Sequence, residues 1–168
     1  MKPGRAPSWN VVAGVEAGTW LEAMALSSDE RLLLPVELRK RVSWAGPSRS
    51  LALLATTQED GAVNVAPLAD RADELDAVRT ALAMAPAATR ASLAFTAMAL
   101  YARISLQPDG RLRLSPALTR YLAGDSTAPI WVGAHGDEVW LWPDTTWRAA
   151  LVTGAQALRQ AVASSRAR

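Results

Sequence analysis

"PDGRLRLSPALTRYL", residues 108–122, is echoed by "SDERLLLPVELRKRV", residues 28–42, and this echo governs how the chain is read. At a constant offset of 80, Leu26 matches Leu106, Asp29 matches Asp109, and Arg31 matches Arg111. Leu32, Leu34 and Leu38 match Leu112, Leu114 and Leu118 in the same way. Further on, Val63-x-Val65-x-Pro67 is echoed by Val139-x-Leu141-x-Pro143, at an offset of 76 because the first copy has the longer turn. The chain carries one unit twice.

Each copy reads as strand, turn, strand, short helix, strand, turn, strand. The first strand is "MALS" in one copy and "ARISLQ" in the other, where Ile104 and Leu106 alternate with Arg103, Ser105 and Gln107. That period of two marks a half-buried strand. The turns "SSDER" and "QPDGR" follow, the second with strong turn chemistry because Pro presets its φ and Gly accepts a positive one; Glu30 stands where the second copy has Gly110. Beyond the turn, Leu32 and Leu34, or Leu112 and Leu114, alternate with Arg31 and Leu33, or Arg111 and Arg113. Pro35 and Pro116 suit the first turn of the short helices, where N–H groups are unpaired in any case. The hairpins "SLALLAT…AVNVAP" and "APIWVGA…EVWLWP" complete the copies.

Helical spacing of apolar residues predicts helices over 69–84, 87–100 and 145–163, with acids at the start of the first, as the helix dipole favours. The expected organisation is an N-terminal arm (1–19), a first unit (20–68), linker helices (69–100), a second unit (101–144), and a C-terminal helix with a disordered basic tail, "SSRAR" (145–168). A unit of roughly 50 residues with four short strands closes a core poorly on its own. Two of them packed about a pseudo-twofold axis close one together, so the expected fold class is α+β, an intramolecular pseudo-dimer of two β units with flanking helices.

The chain has 168 residues, half of them apolar, and no cysteine. Disulfides, thiolate nucleophiles and Cys-type zinc sites are therefore excluded, and no metal or cofactor is expected. No stretch approaches the roughly 18 apolar residues of a membrane span, and "MKPGRAPSWNVVAG" contains no continuous apolar h-region. A cytoplasmic, nucleoid-associated location is the expectation. Net charge is +2, but residues 1–86 hold 9 Lys/Arg against 11 Asp/Glu while residues 87–168 hold 9 against 5. Arg outnumbers Lys 16 to 2, which fits phosphate recognition and equally a GC-rich genome.

The span from Gly18 to Ala155 resembles the MraZ family, bacterial regulators built from two tandem swapped-hairpin units of the AbrB type. The resemblance rests on "DGRLRLSPALTRYLAG", on "PIWVGAHGDEVWLWPDTTWRAAL", and on "PAATRASLAFTAMALYARISL" leading into the second copy. It implies a transcription factor that binds promoter DNA, with chains assembled into homo-oligomeric rings. The family motif is Asp-x-x-x-Arg at the first hairpin of each unit; its arginines correspond to Arg31 and Arg111, whereas Ser27 and Gln107 stand where the family has aspartate.

The residues alone give a DNA argument too. Arg103, Arg111 and Arg113 fall on one face of a two-stranded ribbon, a shape that fits the major groove, where Arg meets guanine O6 and N7. Arg120, and Arg39, Lys40 and Arg41 of the first copy, lie on the short helices, where they can contact phosphates. The first ribbon is weaker, with Ala23, Ala25 and Leu33 in place of Arg103, Ser105 and Arg113. Competing readings are structural: Arg31 and Arg111 pair with Asp29 and Asp109, and Arg39, Lys40 and Arg41 form a solvated face beside Glu37. A protein-interaction scaffold that keeps the fold without specific DNA binding is the alternative, and the antitoxin of a toxin pair is a third reading. His135 sits in a turn with no nucleophile motif nearby, so no enzyme is expected. Trp140 and Trp142 share one strand face and Val139 and Leu141 the other, which calls for cover by a helix or another subunit.

Overall fold

The computed structural model describes residues 18–124 and 127–167. The strands are β1 (Thr19–Met24), β2 (Arg31–Leu33), β3 (Leu51–Thr57), β4 (Val63–Pro67), β5 (Tyr101–Leu106), β6 (Arg111–Arg113), β7 (Ile130–His135) and β8 (Glu138–Pro143). The helices are α1 (Val36–Arg41), α2 (Ala72–Met84), α3 (Ala87–Leu100), α4 (Pro116–Ala123) and α5 (Asp144–Arg166). All eight strands join one antiparallel, nearly closed sheet in the order β1-β7-β8-β4-β3-β5-β6-β2, so the protein is α+β.

The pairings cross between the two copies of the repeat. β1 pairs with β7, β5 with β3, β4 with β8, and β2 with β6, while β3–β4, β5–β6 and β7–β8 are local hairpins. Leu32, Leu53, Val63, Val65, Ile104, Leu106, Leu112, Ile130, Val132, Val139 and Leu141 are buried in a single cluster, joined by Leu38 and Val42 at α1 and by Leu118 and Leu122 of α4. Strand alternation points these residues inward and their neighbours outward. Neither copy has a core of its own.

The two echoed turns share one hydrogen-bond pattern. Ser27 N–H donates to the Arg31 carbonyl at 2.9 Å and Glu30 N–H to the Ser27 carbonyl at 3.0 Å; Gln107 N–H donates to Arg111 and Gly110 N–H to Gln107, both at 2.9 Å. The third residue past the turn's start adopts positive φ in both, 59° at Glu30 and 87° at Gly110.

Several sequence expectations shift. The first strand is "TWLEAM", not "MALS", because β7 supplies its partner register from Thr19↔His135 to Met24↔Ile130. Exposed Glu22 and Ala23 break its alternation, which hides it from a periodicity reading. The expected N-terminal arm falls almost wholly on residues 1–17, outside the described residues. The expected helix over 69–84 begins as a 3-10 turn, Leu68–Arg71, before α2. α5 runs on to Arg166, so the "SSR" of the expected disordered tail is helical. Pro35 is the residue before α1 and not within its first turn, whereas Pro116 opens α4 behind Ser115, whose hydroxyl accepts from Leu118 N–H at 3.2 Å.

Candidate nucleic-acid interface

Four arginines meet on one exposed sheet surface. On β6, Arg111 and Arg113 are exposed either side of buried Leu112. On β5, Ser105 lies opposite Arg113, and Arg103, two residues back, shares that face. On β2, Arg31 lies directly opposite Arg113. Facing residues of antiparallel strands are about 4.5–5.5 Å apart at Cα, so Arg31, Arg103, Arg111 and Arg113 line one surface over β5, β6 and β2. The expected separate ribbon of the first copy does not exist: there is no β1–β2 ladder, because β1 is committed to β7 and β2 to β6.

Carboxylates sit among these arginines. Asp29 pairs with Arg31 at 3.1 Å and Asp109 with Arg111 at 2.5 Å, all four partly solvated. The Ser27 hydroxyl bonds to Asp29, and this contact, followed by the charge of Arg31, holds the Asp29 carboxyl below the usual range. Asp109 is held low first by the backbone N–H of Arg111 and then by its guanidinium. Asp29 also feels the charge of Arg111, and Asp109 that of Arg31, so the two turns share one electrostatic neighbourhood. Arg103 and Arg113 have no acid within ion-pair distance among the described residues.

The remaining candidates are dispersed. Arg39 is half-buried: its Nε donates to the Leu34 carbonyl at 3.1 Å and its guanidine lies over Gly110, where a Cβ would meet Nε at 2.7 Å. It supports the β5–β6 turn from beneath. Lys40 pairs with Glu37 at 3.5 Å on the exposed side of α1. Arg41 reaches the Thr19 carbonyl at 3.5 Å. Arg120 is exposed on α4. One cation escaped the sequence reading: exposed Arg49 neighbours Ser50, whose hydroxyl accepts from Gln107 Nε2 at 3.1 Å, which brings the aperiodic loop "GPSRS" beside the same turn.

The "AHGDE" turn is a clasp between copies. Ser43 donates its N–H and hydroxyl to the Asp137 carboxylate at 2.7 and 2.8 Å, and Trp44 Nε1 donates to the Asp137 carbonyl at 3.0 Å. His135 Nδ1 lies 2.8 Å from the Thr19 hydroxyl. On the outer side of β7–β8, Trp131 stacks on Trp147 of α5 at 5.4 Å between ring centroids, and Trp142 lies 5.1 Å from Trp147 and 6.4 Å from Trp140. Asp144 fixes this corner by accepting from Trp131 Nε1 at 3.0 Å and Arg148 Nε at 2.8 Å. The first turn of α5 thus partly covers Trp131 and Trp142.

Among the described residues, no helix is long and apolar enough to cross a membrane and no His/Asp/Glu cluster is arranged to hold a metal. No protein-family model and no curated protein matches the chain.

Proposed function

We propose that this chain is a transcriptional regulator of the MraZ/AbrB type that binds double-stranded promoter DNA through its hairpin arginines. In this reading, residues 20–68 and 101–144 are two swapped-hairpin units forming an intramolecular pseudo-dimer. The supporting feature is the reciprocity of pairing: exchanging each strand of one copy for its counterpart in the other turns β1–β7 into β5–β3 and leaves β4–β8 and β2–β6 unchanged.

The observation that carries the functional reading is the common exposed face of Arg31, Arg103, Arg111 and Arg113. Planar guanidinium groups on a β surface suit guanine edges and phosphate oxygens, and Arg49 and Arg120 supply further charge for positioning. One such surface per chain binds weakly; a homo-oligomer engaging several DNA boxes gains through effective concentration. A specific observation favours the scaffold alternative: Asp29 and Asp109 already occupy Arg31 and Arg111, and Glu30 adds a third carboxylate to the turn.

The test is binding to DNA from the protein's own promoter region and to an unrelated fragment, with Arg111→Ala/Arg113→Ala alongside. The regulator reading requires promoter preference that the variant loses. Equal, weak binding to both fragments, unchanged in the variant, points to the scaffold.

A further inference from the structure

At the offset of 80, Leu32 falls on Leu112, and these two leucines lie opposite each other in the β2–β6 ladder. An antiparallel pair has a local twofold axis between facing residues, so the axis that exchanges these strands also exchanges the echoed residues. Arg31 and Arg111 are thereby mates on either side of it, on the face opposite the buried leucines. They are diagonal neighbours across the ladder, about 7–8 Å apart at Cα. Arg103 and Arg113 have no such mates, since Ala23 and Leu33 stand at the corresponding positions.

Each mate is held by the acid of its own turn. Asp29 Oδ2 lies 3.1 Å from Arg31 Nε, and Asp109 Oδ2 accepts from Arg111 Nη1 at 2.5 Å. The acids are anchored in turn, Asp29 by the Ser27 hydroxyl and Asp109 by the Arg111 N–H at 3.1 Å. Each carboxylate takes one guanidinium nitrogen and leaves an adjacent pair without a protein acceptor among the described residues: Nη1 and Nη2 of Arg31, Nε and Nη2 of Arg111. Two adjacent N–H donors are what guanine O6 and N7 accept, and a guanidinium already fixed by a carboxylate loses less freedom on binding.

We infer that Arg31 and Arg111 read one guanine each, on opposite strands of a single DNA box whose dyad coincides with the Leu32–Leu112 axis. Asp29 and Asp109 are the positioning residues, and Arg103 and Arg113 hold phosphates on one side only. A β-ribbon with a twofold axis matches bases in inverted order, as operator palindromy mirrors protein symmetry. At 3.4 Å per base step, the separation of the mates suits guanines roughly two to four base pairs apart. The inference rests on the DNA-binding reading above and adds the symmetry of what is bound.

Selection by the full chain from random-sequence duplex DNA, with titrations of the selected box at several salt concentrations, tests this. Wild type is expected to enrich a box with two guanines on opposite strands, each preferred by about tenfold or more. Arg31→Ala erases the preference at one guanine only, and Arg111→Ala at the other. Arg113→Ala leaves both preferences and lowers the salt slope by about 0.9. Asp29→Asn and Asp109→Asn each tighten binding to every duplex, and more so to duplexes that lack the variant's own guanine. Preference then narrows at that base alone, which a general loss of structure would not produce. Absence of any enriched box overturns the inference and the DNA-binding reading together. A box without two guanines on opposite strands, single-arginine variants that erase both preferences or neither, or Asp variants that keep the wild-type preference overturn the inference alone.

Discussion

Glu30 and Gly110 occupy the same place in two equivalent turns, and the exchange has physical consequences. A non-glycine residue at positive φ costs about 1–2 kcal/mol, a cost Gly110 does not carry. Glu30→Gly is therefore expected to stabilise the protein by about 1 kcal/mol, read as a rise in the urea midpoint with unchanged slope. Glycine at 110 suits both its φ of 87° and the Arg39 guanidine lying over it, which a side chain there would have to displace. The turn chemistry of "QPDGR" was legible in sequence, as was the outward face shared by Arg111 and Arg113. The support of Gly110 by Arg39 was not, since nothing local to "PVELRKRV" reveals which turn lies above it. Asp29→Asn/Asp109→Asn keeps acceptors for the turns while removing two charges beside Arg31 and Arg111. Under the regulator reading this variant binds promoter DNA several-fold more tightly in a fluorescence anisotropy titration; the scaffold reading predicts no gain.

At the scale of elements, the two short helices differ in how they begin. α4 starts with a serine cap and Pro at its first position, while α1 starts at Val36 behind Pro35, with no side-chain cap. Ser115→Ala is expected to cost about 1 kcal/mol, measurable by denaturant titration. Which residues share a face of the hairpin β7–β8 was readable, but not which face enters the core: Val139 and Leu141 do, while Trp140 and Trp142 lie on the outer face, where Trp142 meets Trp147. β1 was not readable, because Glu22 sits at a position whose strand neighbours, Trp20 and Met24, pack on the core. Its strand character comes from pairing with β7 and not from its own periodicity. The far end of α5 was read as disordered because "SSRAR" has no apolar period, yet it continues a helix already nucleated at Asp144.

Across the whole molecule, the α+β class expected from the repeat is what the single antiparallel sheet shows, and one buried cluster draws residues from both echoed segments. Which strand pairs with which lay beyond the sequence, because the crossing partners are 45 to 116 residues apart and no local pattern records them. The surface over β5, β6 and β2 is a product of that crossing: Arg31 reaches Arg113 only because β2 pairs with β6. Acid stability follows from contacts of the same kind. Asp29, Asp109, Asp137 and Asp144 all titrate below the usual carboxylate range, the first held chiefly by the Ser27 hydroxyl, the second and third by the backbone N–H of Arg111 and of Ser43, and the last by the Trp131 indole. Folded values below the unfolded one of about 3.9 mean that this stabilisation is present above that pH and is lost as pH falls through the folded values. Stability is expected to hold from neutral pH to about 5 and to decline below about 4, with a shallower decline in Asp137→Asn, as thermal melts across pH would record.

The central claim is that the arginine surface contacts DNA, and the salt dependence of binding tests it most directly. Each phosphate contact contributes about 0.9 to the slope of log Kobs against log salt on duplex DNA. The account predicts that replacing Arg31, Arg103, Arg111 and Arg113 with alanine lowers that slope by about 2 to 4 and abolishes promoter preference. A slope and preference equal to those of the wild type would contradict it.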